Sequence, residues 1–255
     1  DIEIGKKHDL RIKDNKILKK YIKNSDYIFF LAFDVGGSRY LKKFQEKYEF
    51  LNNNLKIIVN TFELLAKSKK KFLFASSQMS NMTYSNYGLL KLIGEKITKS
   101  LNCNYVKFWN VYGVENNLRK SHVITDFVRM AIKRKKIRML TNGRETREFL
   151  HALDCCEGLE IIMKKHNQLL KEKIELHLST GKKIKILKIA EIIKQIAKNK
   201  KININIYPKN SKDNVQLDKK NRFNYYLIKY WRPKISIRKG IEEIFSQNLK
   251  IIKKI

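Results

Sequence analysis

The chain has 255 residues, 43% of them hydrophobic, with 56 Lys and Arg against 24 Asp and Glu, for a formal net charge of +32. That length buries a substantial core in one or two domains, and the longest clean apolar run, Tyr27 to Phe33, is far too short for a membrane-crossing helix. Three cysteines, two of them adjacent (Cys155 and Cys156), make no disulfide framework and no zinc spacing, so no metal is expected and a reducing cytoplasm is the expected setting.

Tyr27 to Phe33 is continuously apolar, as a strand buried on both faces should be. Asn53 to Lys67 reads as a helix, with Leu55, Ile58, Phe62 and Leu65 on one face. Phe72 to Ala75 is the next buried strand, Tyr87 to Ser100 the next helix, and Tyr105 to Trp109 a further strand. Strands alternating with helices imply parallel crossovers and a doubly wound α/β sheet. Beyond them, Thr125 to Lys135 reads as a basic helix, Glu148 to His151 as a short strand and Asp154 to Lys164 as a helix. Ile186, Ile189, Ala190 and Ile193 mark another amphipathic helix. Ile202, Ile204 and Ile206 alternate with polar residues, which predicts a half-exposed strand, and a last helix is predicted near Ile241 to Leu249.

The charge raises the question of nucleic acid. Of the basic residues 45 are Lys and 11 Arg, and runs such as Lys69-Lys70-Lys71 and Lys133-Arg134-Lys135-Lys136 are short and dispersed. The expectation is a solvated basic surface, with nucleic acid not a partner.

Chemistry concentrates around Tyr87-Gly88-Leu89-Leu90-Lys91. A tyrosine and a lysine four apart share one helix face, so the ammonium can lie beside the phenol. The spacing alone proves little: roughly two Tyr-x-x-x-Lys matches are expected by chance in such a composition. The chain has three, the others being Tyr225/Lys229 and Tyr230/Lys234, the last with Pro233 inside it. Only Tyr87/Lys91 follows a strand that ends in hydroxyls, Ala75-Ser76-Ser77, and precedes another strand. A cation roughly 4 Å from the phenol is worth about 4 kcal/mol and would lower its pKa by up to about three units. Tyr87 is therefore the expected proton donor and acceptor, Lys91 its cation, and Ser77 the hydroxyl that orients the reacting oxygen.

Further blocks stand in order around this set: His8-Asp9-Leu10-Arg11, Leu31-Ala32-Phe33, Asn53, Asn110-Val111-Tyr112-Gly113, Arg144 to His151, and Trp231-Arg232-Pro233-Lys234 with Gly240-Ile241. Together they resemble the extended short-chain dehydrogenase/reductase family, in its NAD-dependent epimerase/dehydratase group acting on nucleotide sugars. The resemblance covers nearly the whole chain. It implies a Rossmann-like domain over 1–112 and 145–168 and a smaller mixed α/β substrate domain over 113–144 and 169–255. It assigns catalysis to Ser77, Tyr87 and Lys91. It places NAD, with NADP left open, against Asp9, Leu10, Leu31, Ala32, Phe33, Asn53, Ser76, Tyr87, Lys91, Phe108 and Val111. It puts a nucleotide-diphosphate sugar against Ser77, Asn110, His122 and Arg147, the arginine gripping the diphosphate. It also implies a homodimer formed through the helices Asn53–Lys67 and Tyr87–Ser100.

The sequence departs from the family in four places. There is no Gly-x-x-Gly-x-x-Gly, and the only close glycine pair is Gly36-Gly37, so the sheet is expected to lack its first β-α-β unit. Ser77 and Tyr87 are only 10 apart, where the family usually has more than 20 residues. Gln78-Met79 replace the Asp-Glu pair of the dehydratases, and Asn210-Ser211-Lys212-Asp213 stand where a second family arginine is usual. A 4-epimerase is the expected activity. A 4-ketoreductase or dehydratase of the same family, a non-catalytic RNA-binding relative and an inactive truncated product are the alternatives.

Overall fold

The computed structural model describes residues 5–213, 215–216 and 221–253, which form two compact units. The first comprises Asp1–Val35, Tyr40–Phe108 and Glu160–His177; the second comprises Gly36–Arg39, Trp109–Leu159 and Leu178–Ile255.

The chain enters through α1 (Lys16–Lys23), capped by Asn15, whose Oδ1 accepts from Leu18 N at 2.9 Å. There follow β1 (Ile28–Phe30), α2 (Ser38–Phe44), α3 (Tyr48–Ser68), β2 (Phe72–Ser77), α4 (Asn86–Ser100) and β3 (Asn104–Phe108). β1 pairs in parallel with β2, and β2 with β3, with α3 and α4 as the crossovers. Strand β2 is buried along its whole length, as its unbroken apolar start requires, and its Phe72 and Phe74 interlock with Phe30 and Phe62 at tilted and edge-to-face angles. The expected strand Tyr27–Phe33 is corrected. Only three residues join the ladder, Phe29 is 37% and Leu31 49% exposed, and Leu31 N turns back to Phe29 O. β1 stands at one end of the sheet order, so one of its backbone edges has no strand partner among the described residues.

The chain continues through β4 (Asn110–Tyr112), α5 (Val123–Arg134), β5 (Lys136–Arg138), β6 (Thr146–His151) and α6 (Ala152–Lys164). Next come α7 (His166–Glu172) and β7 (Leu176–Leu178), which completes the first sheet in the order β1-β2-β3-β7. The end of the chain adds β8 (Lys183–Lys185), α8 (Ile186–Asn199), β9 (Asn205–Tyr207) and α9 (Ile237–Lys253). In the second unit β4 pairs in parallel with β6, β6 antiparallel with β8, and β5 in parallel with β9. That pairing draws residues 109–112 and 145–159 into the second unit rather than the first, and residues 169–177 fall in the first. The isoleucine stripe Ile186, Ile189, Ile193 and Ile196 of α8 packs with Ile124, Phe127 and Val128 of α5 and with Ile241, Ile244 and Phe245 of α9. The predicted strand over Ile202 to Ile206 shortens to Asn205–Tyr207, with Ile204 buried just before it. No described helix is long and apolar enough to cross a membrane, and the described residues hold no group of metal-binding side chains.

Candidate active site

Strand β2 ends in two serines that face different partners. Ser77 accepts at its Oγ from Met79 N at 3.2 Å, and its hydroxyl is near enough to the Tyr87 phenol to favour the ionised form. Ser76, expected beside the cofactor, donates its hydroxyl to Glu95 at 2.5 Å inside the unit. The ten-residue interval from Ser77 to Tyr87 closes through a 3₁₀ turn, Gln78–Asn81, followed by the Ser85 cap of α4, whose Oγ accepts from Gly88 N at 3.2 Å. Gly88 makes this short link possible. A Cβ there would stand 2.2 Å from Met79 O and 2.8 Å from Met82 O, so only glycine lets α4 seat on the turn. Gly94 does the same one face further on, where a Cβ would meet the Phe74 ring at 2.3 Å.

Tyr87 and Lys91 share the buried face of α4, at 8% and 3% exposure. Lys91 Nζ donates to Ala75 O at 2.7 Å and lies 3.7 Å from the centre of the Phe33 ring, 5.0 Å from that of Phe74 and 5.8 Å from that of Tyr87. Phe33 meets the Tyr87 ring edge-on, 5.8 Å between centroids. Desolvation pushes the Lys91 amine down to about 7, opposed by the charge of Glu95. Desolvation pushes the Tyr87 phenol up to about 12, opposed by the neighbouring Ser77 hydroxyl. The expected lowering of the phenol by Lys91 is therefore corrected: the ammonium is turned to Ala75 O and the Phe33 face, and burial dominates.

Phe108 lies beside Ser77 in the β2–β3 register. The Asp9 carboxylate is clamped by Arg11, whose Nε reaches Oδ1 at 2.9 Å and whose NH2 reaches Oδ2 at 2.7 Å, and this hydrogen bonding holds Asp9 below the usual carboxylate range. Leu10 offers its carbonyl to Asn60 Nδ2 at 3.3 Å. Asn53 lies inside α3 rather than at a helix start, and its side chain accepts from Arg11 NH1 at 3.0 Å and donates to Asp34 Oδ2 at 3.1 Å. Its neighbour Asn54, which the sequence reading passed over, is fully buried and grips the loop after β1, accepting from Asp34 N at 2.8 Å and donating to Asp34 O at 3.0 Å. The run Asn52-Asn53-Asn54 was the available signal. Leu31 and Ala32 follow the end of β1. At Gly36-Gly37 a Cβ on Gly37 would stand 2.5 Å from Ser121 O, so this glycine serves close packing.

The remaining expected residues lie in the second unit. Asn110 donates its Nδ2 to Glu148 O at 3.2 Å across the β4–β6 pair, and Val111 is half-buried in the same strand. His122 precedes α5, with Nδ1 2.5 Å from Glu115 Oε1. Arg147 donates NH1 to Thr146 O at 2.7 Å and pairs through NH2 with Asp213. Asp213 was not among the expected residues, although it closes the segment that replaces the second family arginine.

Three comparisons bear on this arrangement. The profile of the NAD dependent epimerase/dehydratase family matches residues 3–176. UDP-glucuronic acid decarboxylase 1 of Arabidopsis thaliana is 25% identical over 140 residues, 55% of this chain and 31% of that protein, so the match spans about a third of that relative. Among solved structures, an epimerase from Methanothermobacter thermautotrophicus aligns over 96% of this chain and 79% of its own, with a TM-score of 0.76 and 21% identity. A UDP-glucose 4-epimerase from Thermotoga maritima, solved with UDP-glucose, aligns over 96% and 84%, with a TM-score of 0.74 and 16% identity. At these identities the structures establish the fold: a Rossmann-like α/β arrangement.

Proposed function

Because the chain belongs to the NAD-dependent epimerase/dehydratase family, we propose that it works with NAD on a nucleotide-diphosphate sugar, and that the reaction is epimerisation at the sugar C4. The observation that carries this reading is the set Ser77, Tyr87 and Lys91, with the Ser77 hydroxyl beside the phenol and the lysine amine buried on the same helix face. The residues suit the cofactor. Lys91 has three N–H donors and makes one hydrogen bond, to Ala75 O, so a ribose diol would complete its partners. When bound, the nicotinamide supplies a hydride acceptor and donor. Tyr87 then holds and returns the proton of the sugar hydroxyl at its phenol oxygen, while Ser77 orients that hydroxyl. Arg147, held by Asp213, is the diphosphate contact, a task suited to a planar fork.

Gln78-Met79 at the end of β2 favour epimerisation over dehydration, since neither side chain can act as the acid or base that elimination needs. The test is incubation of the full chain with catalytic NAD and UDP-glucose, followed by NMR of the sugar. Epimerisation interconverts the C4 epimers with no net change in cofactor. Stoichiometric consumption of NADH or NADPH on a 4-keto sugar would replace this reading by a reductase.

A homodimer through α3 and α4 belongs to the same proposal. Leu55 and Val59 of α3 and Leu89 and Ile93 of α4 are exposed at 42%, 57%, 37% and 42%. A pair of helices with that much uncovered apolar surface is suited to self-association. Sedimentation should give a dimer for the wild type and a monomer for Val59→Glu/Ile93→Glu. A monomeric wild type would remove the dimer from the proposal.

A further inference from the structure

Further along the Tyr87–Lys91 face lies a second set of charged groups, all within the first unit. Glu95, one helical turn beyond Lys91, is 4% exposed. Its Oε1 accepts from Ser76 at 2.5 Å, and its Oε2 lies 3.8 Å from Lys107 Nζ. Lys107 is 1% exposed on β3 and donates to Asn81 Oδ1 at 2.8 Å, with Glu175 Oε2 at 2.7 Å. Glu175 in turn faces His177 Nε2 at 2.7 Å and is partly open to solvent. Tyr105 of β3 also feels the Glu95 charge. The buried Glu95 carboxylate thus pairs with Lys107, while the buried Lys91 amine stands one helical turn away with its hydrogen bond to Ala75 O. Burying charge is costly unless it is paired, so a carboxylate and two lysines held in this dry interior need a reason beyond packing.

We propose that Glu95 is a positioning residue for Lys91: its carboxylate, tied to Ser76 and shared with Lys107, keeps the neighbouring ammonium charged in a dry site and anchors the strand end that presents Ser77. The inference rests on the roles given above to Ser77, Tyr87 and Lys91. Its geometry is specific. Ser76 and Ser77 are consecutive on β2, so the Glu95 bond to the first constrains the second. Lys91 and Glu95 are four apart on α4, so the carboxylate stands on the same face as the ammonium. The direction of its effect agrees, since the Glu95 charge opposes the desolvation that strips the proton from Lys91.

The decisive measurement is the titration of Lys91 in the full chain, labelled with lysine carrying ¹³C at the ε-carbon and identified by the resonance that Lys91→Met removes. Glu95→Gln should move the Lys91 midpoint to lower pH, and Ser76→Ala should move it the same way by less. In the sugar assay Glu95→Gln should lower kcat at pH 7 about tenfold, with KM for the nucleotide sugar within about twofold, the scale of one lost charge-assisted contact. A purely structural Glu95 would lower the melting temperature and leave the Lys91 midpoint in place, and that result overturns the proposal. Should Glu95→Gln not fold, Ser76→Ala decides the question with the carboxylate retained. A chain that converts no nucleotide sugar yet shows the shifted midpoint would refute the proposed function and leave the coupling of Glu95 to Lys91 standing.

Discussion

Replacing Tyr87 by phenylalanine should lower turnover about a thousandfold, the middle of the range for loss of a positioned acid–base group, while leaving the fold intact. The substitution removes one oxygen. Ser77 keeps its bond from Met79 N, and the ring keeps its edge contact with Phe33. The expected stability change is therefore about 1 kcal/mol or less, that of a single buried hydrogen bond. Circular dichroism and urea unfolding would show an unaltered protein, and single-turnover hydride transfer would show the loss. The pH profile adds a sign. Lys91, at about 7, loses its positive charge as the pH rises, and with it one of the N–H donors proposed to hold the cofactor ribose. Turnover should accordingly decline on the alkaline side of the Lys91 midpoint. Tyr87→Phe with wild-type turnover would end the catalytic assignment.

The second large effect runs opposite to the usual cost of mutation. Lys91→Met should abolish activity and stabilise the protein. The Lys91 amine, ordinarily near 10.5, is pushed down to about 7 in the fold, so carrying its proton below pH 7 costs roughly 5 kcal/mol at about 1.4 kcal/mol per unit. Losing the bond to Ala75 O returns about 1 kcal/mol of that gain. A net stabilisation of a few kcal/mol should remain at pH 6, since methionine fills a similar volume among Phe33, Phe74 and Tyr87. The pH dependence is distinctive. Between about 7 and 10.5 the unfolded wild type binds a proton that the folded form has shed, so wild-type stability rises with pH relative to the variant. Urea unfolding of both proteins from pH 6 to 9 should show the gap narrowing by about 1.4 kcal/mol per unit above pH 7. A variant less stable than wild type at pH 6, or a gap indifferent to pH, would refute the cost assigned to the buried ammonium. Such a cost, kept in a site, is the pattern expected where function opposes stability.

The catalytic half of the site was legible in the sequence because it is local. Tyr87 and Lys91 meet through helix periodicity, Ser77 is delivered by the end of an apolar strand, and the ten-residue gap signals a tight turn that Gly88 then permits. The parallel crossover order of β1, β2 and β3 likewise follows from alternating apolar runs and helical stripes. Lys107 was visible as a charge in the middle of a buried strand, although its meaning was not.

The tertiary structure decided which partner each polar side chain takes. Ser76 turns to Glu95, 19 residues on, and Arg147 to Asp213, 66 residues on; Asp9 is held by Arg11, and Asn54 grips the Asp34 backbone in the loop after β1. Periodicity of three to four residues or of two fixes the face on which a side chain lies, because backbone geometry repeats at those intervals. It carries no information about which distant segment is brought opposite that face, and in a dry interior that neighbour sets the charge state of the group.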